Sequence, residues 1–150
     1  MENVFSTTGL STFQGRINQL SPISERQWGT MTPAQMLAHL NVAYDMALTE
    51  KYTKPTGLKK WMLKKFVKQA VVGPKPFKKN GRTAPQFLVS DERDFEKEKA
   101  TLLTNIQKVY DLGAEYFDNR ESHSFGRLTS EEWNVMFAKH LDHHLRQFGV

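Results

Sequence analysis

The sequence predicts an all-α domain, most simply an up-and-down four-helix bundle with an additional basic helix–loop segment. Three observations lead there. Two helix starts are written in capping residues, apolar residues recur at helical spacing in four stretches, and no convincing pair of strands is found. The 150 residues fall within the usual size of one domain, so a single domain over 1–150 is expected.

The first helix is expected over Leu10 to Leu20, with Phe13, Ile17 and Leu20 inward. In "TPAQ", Thr32 is the N-cap, Pro33 takes the first helical position, and Gln35 can return a bond to the cap. The helix that follows, Pro33 to about Leu48, places Met36, Leu37, Leu40, Ala43, Tyr44, Ala47 and Leu48 at helical period. Next, "LKKWMLKKFVKQAVV" is amphipathic: Leu58, Trp61, Met62, Phe66 and Ala70 stand opposite the lysines, and this apolar side is expected to pack on the bundle. Prolines and glycines make "GPKPFKKNGRTAP" a loop, and "QFLVS" is a short extended stretch without a partner. A long surface helix is expected from about Asp91 to Phe117, with Phe95, Leu102, Ile106, Val109, Gly113 and Phe117 on one side. In "TSEE", Thr129 and Glu132 form a second capping box, opening a last helix from Ser130 to about Phe148.

Composition narrows the function classes. Hydrophobic residues make up 39% of the chain, enough for a packed core. No apolar run is long enough for a membrane span, and "MENVFSTTGL" does not read as a secretory leader. Cysteine is absent, which excludes disulfides, thiolate metal sites and cysteine nucleophiles and makes a cytoplasmic location the default. The net charge of +5 is unevenly spread: residues 51–90 hold ten Lys and one Arg with no acidic residue. That asymmetry suits an anionic partner, either nucleic acid or an acidic membrane surface. No reading motif for nucleic acid is present, so the simpler expectation is a solvated lysine face.

The histidines carry the most specific signal. Three of the five lie in "KHLDHHLRQF". On a helical wheel His140 and His144 fall within roughly 40° of each other, in the stripe that holds Trp133, Met136 and Phe137, with Gln147 alongside. His143 lies at the stripe's edge, where it can complement the helix dipole, and Asp142 and Arg146 point away. Imidazoles one turn apart can converge on an ion, but two ligands are too few. His39 lies in the apolar arc of the second helix, either as a third ligand or as a hydrogen-bonded core residue. A site without sulfur would suit Zn²⁺, Ni²⁺ or Fe²⁺ better than Ca²⁺ or Mg²⁺. His123, in "ESHSFGRL", is expected at the polar surface or a helix entry.

An early-helix histidine in "PAQMLAHL", then H-x3-H-x2-Q near the C-terminus, resembles the DinB/YfiT-like superfamily of metal-binding four-helix bundles. "HSFGRLTSEEW" and "HLDHHLRQFG" are similar to an uncharacterised subfamily of it, and the likeness runs from about Trp28 to Gly149. It implies a divalent metal, often zinc or nickel, held by His39, His140 and His144. The superfamily's late motif usually reads H-x3-H-R-G-Q; Gln147 is kept here, whereas Leu145 and Arg146 stand where Arg and Gly are common. Characterised relatives include transferases and isomerases that use a low-molecular-weight thiol, and others are described as metal-dependent hydrolases.

The expectation is therefore a metal-dependent enzyme that activates a thiol or water for S-transfer or hydrolysis, with Gln147 orienting a ligand or the bound solvent. Trp61, Lys65 and Arg146 are the candidates for meeting a small, anionic substrate. Asp45 and Asp142 map away from the apolar face. The competing expectation is a non-catalytic binding or oligomerising module, such as a homodimer, with a basic surface for anionic partners.

Overall fold

The computed structural model describes residues 1–150. It is mostly helical, in the order α1 (Thr7–Asn18), α2 (Pro33–Leu48), α3 (Gly57–Met62), a π-helical turn (Leu63–Val67), α4 (Lys68–Val72), a 3-10 turn (Pro85–Phe87), α5 (Phe95–Phe117), β1 (Arg120–Ser122), β2 (Gly126–Leu128) and α6 (Ser130–Gln147). No helix is long and apolar enough to cross a membrane.

Each long helix begins where a side chain can accept the first free N–H groups. Ser6 caps α1 and Asp94 caps α5. Both expected capping boxes form, at Thr32/Gln35 and Thr129/Glu132, the reciprocal arrangement that satisfies two orphan donors at once. Helix α1 begins earlier than its apolar pattern suggests because Ser6 supplies the cap. Helix α5 begins at Phe95 rather than Asp91 for the same reason, and at Gly113 (φ 73°) its backbone leaves helical geometry. Only glycine enters that region at little cost.

The amphipathic faces of α1, α2, α5 and α6 meet in one core built on Phe13, Ile17, Met36, Leu40, Leu102, Val109, Phe117, Trp133, Phe137 and Leu141. Helix α5 packs against α1, α2 and α6, and α2 also packs against α6. Aromatic contacts run through the centre, with Tyr44 stacked on Phe137 at 5.0 Å and Phe137 on Trp133 at 5.5 Å. Buried Asn41 bridges α2 to α5, donating to Glu98 O and Oε2 and accepting from Asn105. A satisfied polar link of this kind fixes which turn of α2 faces which turn of α5.

Two expectations need correction. A small sheet exists: β1 and β2 form an antiparallel hairpin pairing Arg120 with Leu128 and Ser122 with Gly126. Three-residue strands are too short to show alternation, and Ser122 Oγ stabilises the turn by accepting from Phe125 N. The second correction concerns the basic helix, whose Leu58, Trp61, Met62, Phe66 and Ala70 are all exposed. Its inward side carries Leu63, Val71, Val72 and two lysines. Lys60 reaches Glu121 and Lys68 reaches Glu132, both at 2.7 Å.

The segment is also held by α6. Lys139 is buried, and its Nζ donates to the carbonyls of Ala70 (2.9 Å), Gly73 (2.6 Å) and Lys75 (3.2 Å). No carboxylate pairs with it. The cation instead satisfies carbonyls left free at the end of α4, where the helix dipole favours positive charge, and lies 4.7 Å over the Phe77 ring.

Candidate metal centre

Helix α2 brings His39, and α6 brings His140 and His144, to a single point. One ring nitrogen from each lies within 4.8 Å of the other two. His39 Nε2 is 2.9 Å from His140 Nε2. Two Zn–N bonds of about 2.1 Å at a tetrahedral angle would set their nitrogens about 3.4 Å apart, so the observed separations bracket what one ion requires. The three expected ligands are thus together.

Hydrogen bonds fix which nitrogen of two rings carries the proton. Phe87 O can only accept, so His39 Nδ1 donates to it at 2.8 Å and Nε2 keeps its lone pair. Gln147 Nε2 donates to Trp28 O at 2.8 Å, which turns Gln147 Oε1 toward His144. His144 Nδ1 must then donate to Oε1 at 2.8 Å, leaving its Nε2 lone pair for an ion. Metal-bound histidines almost always anchor their second nitrogen in this way. The expected orienting role of Gln147 therefore falls on His144, one helical turn before it.

Gln147 is fixed by a close approach. The loop carrying Trp28 crosses over it, and Gln27 N donates to Gln147 O at 2.6 Å. Gly29 has φ +80°, and a Cβ there would lie 2.4 Å from Gln147 Nε2. Replacing Gln147 by Leu, or Gly29 by Ala, is expected to weaken metal affinity by about 10–100-fold without touching a ligand. Competition against a chelating dye would measure it; unchanged affinity in both variants would remove Gln147 from the site.

Burial holds all three imidazoles neutral. His39 and His144 are 5% and 8% exposed, and the His140 ring is enclosed among the other two imidazoles, Phe77 and Phe87. Desolvation pulls the pKa of each below the ordinary histidine value, and the neighbouring imidazoles add to it for His140 and His144. His140 falls well below, and His144 falls to about 3. In the unfolded chain the same groups take up protons near pH 6.5. Between that pH and their folded values the unfolded state binds more protons, so acid weakens the fold. Metal-free protein should be at its most stable above about pH 6.5 and lose about 1.4 kcal/mol per pH unit for each such histidine on acidification. Urea midpoints between pH 8 and 4 would show it, with a shallower fall in His144→Gln.

The centre opens into a cavity of about 1040 Å³. Apolar side chains such as Ala43, Met46, Leu63, Val71, Phe125 and Met136 form much of its wall. Lys59, Lys78 and Arg82 line it, and no Asp or Glu does. Phe77 and Phe87 cover the histidines from the basic segment: Phe87 lies 5.8 Å from His140, and Phe77 lies 5.7 Å from His143.

The remaining candidates are placed as follows. His143 stands at the cavity edge between Phe77 and Trp28, with burial lowering its pKa, rather than simply facing the helix end. His123, expected at the polar surface or a helix entry, is buried against the cavity, where its Nε2 and Trp133 Nε1 have no hydrogen-bond partner. Trp61, Lys65 and Arg146 do not line the cavity. Trp61 and Lys65 pair with each other on the outer face of the basic helix, Nζ 4.8 Å from the ring, and Arg146 pairs with Asp142 in solvent. Asp45 and Asp142 point away as expected, to Lys51 and to Arg16 and Arg146. Sequence reasoning missed Phe87, Trp28, Gly29 and Lys139. The first three lie in loops without periodicity, and Lys139 reads as an ordinary charged position beside His140.

No curated protein and no solved structure matches the chain. The family described as "Protein of unknown function (DUF1569)" matches residues 5–149, which take in all three histidines, the basic segment and the loop over Gln147. The chain belongs to that family.

Proposed function

We propose that the protein is a divalent-metal-dependent enzyme in which His39, His140 and His144 hold zinc or nickel. The observation that carries this is the convergence of three neutral imidazoles, two of them with the second nitrogen anchored, at the wall of a large cavity. A purely structural role would not need such a cavity beside them. The four long helices are read as a four-helix bundle of the DinB-like kind, with residues 51–90 added as a cover.

A divalent ion bound by three histidines supplies Lewis acidity, lowering the pKa of a water or thiol to near neutrality. The chain's own residues do the rest. Phe87 O and Gln147 fix the ring planes of His39 and His144. Phe77 and Phe87 limit water at the centre. Lys59, Lys78 and Arg82, unopposed by any carboxylate, favour an anionic substrate, and the apolar wall favours one with a hydrophobic body. The reactions that fit are S-transfer from a small thiol and hydrolysis.

Metal-free protein dialysed against zinc or nickel should retain about one ion per chain, as catalytic three-ligand sites do. The loaded protein should then accelerate attack of a small thiol on an aryl halide, or hydrolysis of an anionic ester. Failure to retain metal would end the proposal; retention without either activity would leave a metal-binding module in place of an enzyme.

A further inference from the structure

The basic helix shows its apolar side to solvent and its other side to the protein. Leu58, Trp61, Met62 and Phe66 are 71%, 53%, 49% and 65% exposed, four large apolar side chains within nine residues. Monomeric proteins rarely leave such a patch uncovered. The helix is not loose. Its inner face is fixed by the Lys60–Glu121 and Lys68–Glu132 pairs, by Leu63 and Val71 at the cavity wall, and by Lys139 on the carbonyls at its end. The outward direction of Trp61 and Phe66 is therefore set by the fold.

The charges around the patch decide its partner. No acidic residue occurs between 51 and 90. Lys65 is exposed and has no ion pair; the unpaired Lys59 and Lys64 flank the helix, Lys59 at the cavity wall and Lys64 with its Nζ near Gly126. Lys65 Nζ lies 4.8 Å from the Trp61 ring and 5.5 Å from the Phe66 ring, so charge and aromatic faces form one cluster. A second copy of this face would set these lysines against their own counterparts, since a two-fold interface presents the same patch on both sides. Apolar side chains on a convex helix, flanked by lysines with long alkyl stems, match what an anionic lipid surface accepts. The rings and Leu58 enter the acyl boundary while the ammonium groups stay among the headgroups. We infer that this outer face, centred on Leu58, Trp61, Met62 and Phe66, docks the protein on an anionic membrane surface.

The test is co-sedimentation of the full chain with vesicles of equimolar phosphatidylglycerol and phosphatidylcholine, beside vesicles of phosphatidylcholine alone. Binding is expected to the anionic vesicles only, falling as salt rises to roughly 0.5 M. The Trp61→Ala/Phe66→Ala variant should bind at least about tenfold more weakly, and its melting temperature should be unchanged because both side chains are exposed. Tryptophan emission should shift to the blue on binding in the wild type and not in Trp61→Phe. No vesicle binding, or equal binding by the double variant, overturns the inference. So does a concentration-dependent dimer that the double variant abolishes, or equally tight binding to polyglutamate or a duplex oligonucleotide without lipid.

Discussion

His144→Ala is expected to lower metal affinity by more than the roughly 10–100-fold that an outer-shell partner costs, and to leave retained metal far below one ion per chain. The change deletes one of only three nitrogen donors. It also strands Gln147 Oε1, which accepts from His144 Nδ1 at 2.8 Å in a buried setting. An unsatisfied buried acceptor costs about 1–3 kcal/mol, so the apoprotein should lose some stability as well. His143→Ala is the matched control. That ring packs between Trp28 and Phe77 and belongs to no ligand set, so metal content should be kept. Elemental analysis of both variants, with circular dichroism to show retained helix, separates loss of the ion from loss of the fold. A His144→Ala protein that still carries one ion would mean that the three nitrogens are a polar core cluster.

Lys139→Ala is expected to be strongly destabilising for the loss of a charged side chain, at about 3 kcal/mol. Three backbone carbonyls share its ammonium, the shortest contact being 2.6 Å to Gly73 O, and nothing else on α6 can replace it. Lys139→Met would keep much of the volume and still leave those carbonyls without a donor. The damage should be local first: the segment from Gly57 to Phe87 should exchange amide protons and be cut by protease faster than α2 or α5. Because Phe87 O orients His39, metal affinity should fall too. A variant with an unchanged urea midpoint and unchanged protection in this segment would show that the ion pairs of Lys60 and Lys68 hold it unaided.

What the sequence made legible follows the range of its physical signals. The two capping boxes involve residues three apart, and both formed where Thr32 and Thr129 indicated. His140 and His144 could be placed on the core side because α6 is regular over five turns. His39 joined them by lying on the apolar side of a second regular helix. The basic helix failed the same wheel for two reasons. Its i→i+5 turn at Leu63–Val67 departs from the regular period, and its inward lysines are satisfied by Glu121 and Glu132, which lie at least sixty residues away in sequence. Nothing within a window of one helix announces those partners. The same holds for Lys139, whose carbonyl partners lie in a loop and a short helix end.

The three proposed ligands are all nitrogen and are held neutral by burial, which makes loading of the ion a process without proton traffic. Titration calorimetry with zinc at about pH 6, below the near-neutral ionisation of a metal-bound water, should give the same heat in buffers of very different ionisation enthalpy. Thiolate or half-protonated surface histidine sites would not behave that way. A small thiol added afterwards that does release a proton must be losing its own. Counting protons in that second titration therefore reads the chemical state of the captured molecule directly, before any product is formed.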